Sequence, residues 1–189
     1  MAIDLEPPIV ATEPELADED KLYEVVDGQI VSKKMGALEL QVAARLFARL
    51  SAHVEGRGLG TAEVEMIFLL DPSTGLQRRP DVAFVSRDRW PIDEPAPRTV
   101  AWEVVPDLVV EVVSPTNRAA DLAARIEEYF RAGVRQVWAV YPVQRVVYRF
   151  DAGGAGRILR GEATLDAEEV VPGFRLPLAT VFRRGPGAA

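Results

Sequence analysis

The chain has 189 residues, 48% of them hydrophobic, with 22 Lys+Arg against 29 Asp+Glu and a formal net charge of −7. This length suits one globular domain with a core of its own. The lack of cysteine and the single histidine, His53, exclude disulfides, thiolate nucleophiles and multi-histidine zinc sites, leaving carboxylates, arginines, three lysines and hydroxyls for any chemistry.

Residues 1–20 contain seven acids, no base and three prolines, so an acidic flexible arm is expected there. The arm holds the entire net charge, and residues 21–182 are expected to form a single domain, followed by a disordered tail over 183–189. Leu22–Val26 and Gln29–Ser32 flank Asp27-Gly28, the pair preferred in a two-residue type I′ hairpin turn. From Ala37 to Val54, Val42, Leu46 and Leu50 recur at helical spacing, and Gly56, Gly58 and Gly60 close that helix. Strands are predicted over Glu63–Leu70 and Asp81–Ser86, with a turn through Asp71–Gly75 between them. A proline-rich loop spans Trp90–Pro97. Asp107–Val113 has the apolar density of a strand buried on both faces.

Ser114–Asn117 offers caps to a second helix from Arg118 to Ala132, which Gly133 ends. Val137–Tyr141 and Arg145–Phe150 are further strands, and short strands are expected around Gly153-Gly154 and Val171–Gly173. The whole suggests an α/β domain. No apolar run is long enough to span a bilayer, and the acidic N-terminus does not suit a signal peptide, so a soluble, cytoplasmic protein without membrane contact is expected.

One residue contradicts its surroundings. Glu111 lies inside Leu108-Val109-Val110-Glu111-Val112-Val113, where an uncompensated carboxylate is costly. Its compensation is either an arginine partner or a role as metal ligand or general base. Asp107 is too far along the same strand to share an ion with it and suits strand entry. Asp81, after Arg79-Pro80, can share a cation with Glu111 if the two strands are neighbours in register. Two carboxylates without nitrogen or sulfur ligands favour a hard ion such as Mg²⁺ or Mn²⁺.

On the second helix, Leu122, Ile126, Tyr129 and Phe130 share an apolar sector, with Arg125 and Arg118 on its edge. A cation there can reach back to the carboxylates or simply snorkel. Glu39 projects with Val42, Leu46 and Leu50, an acid on an apolar face whose first-turn position also favours negative charge. His53, at the far end of that face, suits a core or rim position. Nineteen of the 22 basic residues are arginine, a side chain suited to phosphate.

Arg79-Pro80-Asp81-Val82-Ala83-Phe84-Val85 and Pro106-Asp107-Leu108-Val109-Val110-Glu111-Val112-Val113-Ser114-Pro115 together resemble the Uma-two family within the PD-(D/E)XK nuclease superfamily. The likeness continues through Glu128–Val134, Trp138 and Val171–Phe174, and covers about residues 20–180. It implies a restriction-endonuclease-like core, a central mixed β-sheet flanked by helices, preceded here by the hairpin. It also implies a Mg²⁺- or Mn²⁺-dependent endonuclease that cleaves DNA with metal-activated water, and a homodimer is expected because cutting both strands of a duplex suits a two-fold assembly. Asp81 and Glu111 would be the metal ligands, assisted by the backbone carbonyl of Val112, with Glu39 at the first-helix acidic position.

The superfamily lysine is absent at Val113, and its place on the following helix is taken by Arg125, which keeps the charge but cannot act as a base. Lys33 and Lys34 are conceivable substitutes. The alternative is a catalytically degenerate relative that retains the fold as a nucleic-acid- or protein-binding module; a third possibility is that residues 1–20 act as a DNA-mimicking arm that covers the site.

Overall fold

The computed structural model describes residues 22–32 and 35–182. The expected acidic arm, all three lysines (Lys21, Lys33 and Lys34) and the expected disordered tail lie outside the described residues. No helix among the described residues is long and apolar enough to cross a membrane.

The hairpin forms as its turn chemistry predicts. Strands β1 (Tyr23–Val26) and β2 (Gln29–Ser32) pair antiparallel from Tyr23↔Ser32 to Val26↔Gln29. Asp27 and Gly28 have φ of 51° and 71°, the two positive values a type I′ turn requires. Helix α1 (Ala37–Glu55) follows, burying Val42, Leu46 and Leu50.

The expected strand Glu63–Leu70 is two strands in different sheets. β3 (Gly60–Val64) ends at Glu65, whose φ of 52° turns the chain out of the sheet, and β4 (Phe68–Asp71) pairs with β5 (Leu76–Arg78). Arg79 donates to the Glu65 carbonyl and steadies the break. Continuous apolar character across Met66–Leu70 hides this change of sheet from a sequence reading.

The main sheet has six strands, ordered β10-β9-β8-β7-β6-β3, formed by β3, β6 (Val82–Ser86), β7 (Leu108–Val112), β8 (Gln136–Tyr141), β9 (Val146–Asp151) and β10 (Gly156–Arg160). Among the described residues its only parallel pair is β7–β8, and the crossover this requires is α2 (Ala119–Ala132). Gly133 closes α2 at φ 102° as expected. The predicted N-terminal cap differs: α2 has no side-chain cap, because the Asn117 side chain instead accepts from the Ser114 amide at 2.7 Å. The hairpin, β5 and β4 make a second sheet, ordered β2-β1-β5-β4, and β11 (Thr164–Asp166) with β12 (Arg175–Pro177) a third, followed by the short α3 (Leu178–Val181).

Period-two alternation in the six-stranded sheet divides the core into two layers. Val82, Phe84, Val110, Trp138 and Val140 meet Val42, Leu46 and Leu50 of α1 together with Phe174 and Leu178. Ala83, Val85, Val109 and Val137 meet Tyr129 of α2 and the Phe68–Trp102 pair, whose rings stack at 5.9 Å. Burial of large side chains on both faces supplies the main driving force for this arrangement.

Asp107 serves strand entry, as its position suggests. Its buried carboxylate accepts from the Ser86 amide at 2.9 Å and faces Arg89 Nε at 3.1 Å. It lies at the opposite end of β7 from Glu111, about 13 Å away along the strand. Asp107→Ala would remove the acceptor of the Ser86 amide and of Arg89 Nε, while Arg89 keeps the Val105, Pro106 and Gly133 carbonyls, so urea denaturation should show a loss of about 1–2 kcal/mol. A loss below about 0.5 kcal/mol would contradict this role.

Candidate active site

Strand β6 runs antiparallel to β7 with Val82 opposite Val110, so extending the register by one pair sets Asp81 opposite Glu111. The start of β6 and the end of β7 therefore coincide. Asp81 Oδ2 accepts from the Val112 amide, which ties the two strand ends together. Asp81 and Glu111 are 1% and 3% exposed.

The N-terminus of α1 points to the same end of the sheet. Gly36 is the N-cap without a side-chain bond, and Glu39, in the first turn, folds back over it. A Cβ placed on Gly36 would lie 2.3 Å from Glu39 Oε2. Glu39 thus gains from the helix dipole while its buried carboxylate lines the site.

These elements enclose a polar cavity of about 90 Å³ lined by Glu24, Glu39, Asp81, Glu111, Val112 and Arg125, among others. Glu39, Asp81, Glu111, Val112 and Arg125, the site residues that the resemblance implies, all line it. Arg125 NH1 reaches Glu111 Oε2 at 3.1 Å, so the helix-edge cation does turn back to the strand carboxylate. Arg118 is exposed beside a small extension of the cavity. His53 is remote, a rim residue with Nε2 2.9 Å from the Pro172 carbonyl and its ring edge-on to Phe174.

Two residues of this constellation escaped the sequence reading. Glu24 on β1, 1% exposed, faces Arg78 NH1 at 3.0 Å and Arg125 NH2 at 3.3 Å through Oε2. Tyr129, read only as part of an apolar stripe, donates its hydroxyl to Glu111 Oε1 at 2.6 Å. Glu24 carries only a weak signal, an acid in a short strand before a tight turn, because its partners come from distant segments.

The electrostatics follow from burial and these pairings. Burial alone would weaken the Arg125 charge, but the Glu111 and Glu24 carboxylates more than offset this and hold its pKa above the ordinary value. Burial raises the Tyr129 phenol well above its usual pKa, and the Glu111 and Glu24 charges add to the effect, so Tyr129 acts at Glu111 as a neutral donor.

Four carboxylates face one guanidinium among the described charged residues lining the cavity. A wider depression of about 370 Å³ bordered by Asp27, Asp71 and Glu128 also carries acids. There, hydrogen bonds from Ser73 and Thr74 occupy Asp71 and lower its pKa, as a turn requires.

A family model described as "Putative restriction endonuclease", Uma2, matches residues 12–179. The chain belongs to the Uma2 family. Among solved structures it is similar to one titled as a putative nuclease belonging to DUF820 from Anabaena variabilis, with a TM-score of 0.74 and 16% identity over 85% of this chain and 89% of that one. No curated protein matches the chain. The family and the shared fold bear out the expected restriction-endonuclease-like core with its central mixed sheet. The candidate cavity lies at the carboxyl end of β7, beside the start of β6.

The fold of Glu39 over Gly36 gives a direct prediction. Gly36→Ala would displace the Glu39 carboxylate at little cost in stability, since the clashing atom ends a flexible side chain. A crystal structure of the variant should show Glu39 rotated away, with the melting temperature within a few degrees of the native protein. An unmoved Glu39 would contradict the geometry.

Proposed function

We propose that this Uma2 family member is a divalent-cation-dependent endonuclease that hydrolyses phosphodiester bonds of DNA. The observation that carries the proposal is the convergence of Glu39, Asp81 and Glu111, from three separate elements, on one small polar cavity. The carboxylates and the Val112 carbonyl are hard oxygen donors, which suits Mg²⁺ or Mn²⁺. Asp81, Glu111 and the Val112 carbonyl would hold the ion. Among the described residues, no group of three or more acidic or histidine side chains is gathered to enclose a metal by itself. An ion held by two carboxylates and a carbonyl would complete its shell with water.

A bound cation would supply a more acidic water and neutralise charge developing on the phosphate. The residues of the chain complete the setting. Glu39 offers a further acceptor to water in the cavity. Tyr129 and Arg125 fix the Glu111 carboxylate. Arg125 cannot accept a proton from water at any ordinary pH, so it serves as a fixed positive charge.

A second reading, a degenerate nuclease that binds nucleic acid or protein, is favoured by that same arginine, whose charge is shared between Glu111 and Glu24. Binding to phosphates would weaken steeply with added salt, whereas a protein partner need not show this slope. A two-fold dimer would present a site to each strand of a duplex.

The test is incubation of supercoiled plasmid with Mg²⁺ or Mn²⁺ and native protein, Asp81→Ala or Arg125→Lys. Native protein should nick the plasmid, chelator should abolish the reaction, and Asp81→Ala should slow it by more than about 100-fold, beyond the loss typical of outer-shell changes. Linear product before nicked circles are exhausted would support the dimer. Cleavage unaffected by Asp81→Ala would refute the site, and cleavage gained only in Arg125→Lys would favour the degenerate reading.

A further inference from the structure

Glu24 occupies an unusual place. It is buried, it lines the cavity, and both its oxygens are committed to the protein. Oε1 accepts from the Arg79 amide at 3.1 Å, while Oε2 meets Arg78 NH1 at 3.0 Å and Arg125 NH2 at 3.3 Å. Arg125 is correspondingly divided, with NH2 on Glu24 and NH1 on Glu111 Oε2.

We infer that Glu24 is a positioning residue for Glu111: it draws one arm of Arg125 away from Glu111, while Tyr129 fixes that carboxylate's other oxygen. The physical argument is one of geometry. A guanidinium alone with a carboxylate prefers the bidentate, fork-to-fork arrangement, which engages both oxygens at once. With Glu24 present, Arg125 touches Glu111 through a single arm and Tyr129 takes Oε1 at 2.6 Å. Glu111 is thereby oriented by two different donors on two different oxygens. Arg78 holds Glu24 in turn, and its Nε is bonded to Glu128 of α2 at 2.8 Å. The chain Glu128–Arg78–Glu24–Arg125–Glu111 therefore links the N-terminal hairpin to the carboxylate at the end of β7.

This inference rests on the reading of Glu111 as a cation ligand, and Mn²⁺ titration calorimetry of the full chain separates the two. Native protein should bind Mn²⁺, and Asp81→Ala should abolish binding. Tyr129→Phe, which keeps the buried ring, should weaken Mn²⁺ affinity by about 10- to 100-fold, the usual effect of losing an outer-shell partner. Glu24→Gln should weaken it within the same range, and Glu24→Asp less. In an Arg125→Gln background the Glu24→Gln effect should vanish, a result that a purely structural role for Glu24 would not produce. If Glu24→Gln does not fold, Tyr129→Phe and Glu24→Asp carry the test.

Unchanged Mn²⁺ affinity in the folded variants, or a Glu24→Gln effect that persists without Arg125, would overturn the inference while leaving the cation site standing. Absence of Mn²⁺ binding by the native protein would overturn the cation site and the inference with it.

Discussion

The arrangement of this protein depends on how one buried carboxylate is compensated. Glu111 lies in a strand whose other members, Leu108, Val109, Val110 and Val112, are all buried and apolar. A charge there must be met by donors or neutralised. Tyr129 and Arg125 of α2 meet it, and Arg125 is itself shared with Glu24 of the hairpin, which Arg78 ties to Glu128. Removing any member leaves a buried charge short of a partner, which is more costly than the intact network is stabilising. The network thus fastens α2, the hairpin and β5 to the end of the main sheet, where the candidate site lies.

The topology makes that compensation possible. Because β7 and β8 are parallel, the chain must cross over between them, and α2 returns residues 14 and 18 positions beyond Glu111 directly to its side chain. Because β6 and β7 are antiparallel, Asp81 at the start of one meets Glu111 near the end of the other. The first turn of α1 brings Glu39 from the opposite layer of the core. Three carboxylates far apart in sequence come to line one cavity through pairing direction and helix placement, offering oxygen donors of the kind a hard cation takes. Membership of the Uma2 family and the fold shared with a DUF820 structure agree with a restriction-endonuclease-like scaffold.

Much of this was legible in the sequence because local rules decide it. The Asp27-Gly28 turn, the apolar run of β7 and the spacing of Val42, Leu46 and Leu50 each specify their element without help from elsewhere. Glu111 stood out because it violates its own strand's pattern, and Arg125 because it lies on the edge of an apolar sector. The rest depended on contacts remote in sequence. The break at Glu65 follows from where Phe68 finds its partners, Arg78 and Trp102, which no local pattern encodes. Glu24 becomes meaningful only beside Arg78 and Arg125, 54 and 101 residues away, and Tyr129 only once Glu111 is seen beneath its hydroxyl.

The most direct test of the central claim, that the start of β6 and the end of β7 together hold a catalytic cation, is anomalous diffraction from crystals soaked in Mn²⁺. The account predicts a peak about 2 Å from the carboxylate oxygens of Asp81 and Glu111 and from the Val112 carbonyl. A peak confined to the depression beside Asp27, Asp71 and Glu128, or no peak between Asp81 and Glu111 in crystals that diffract well after soaking, would contradict it.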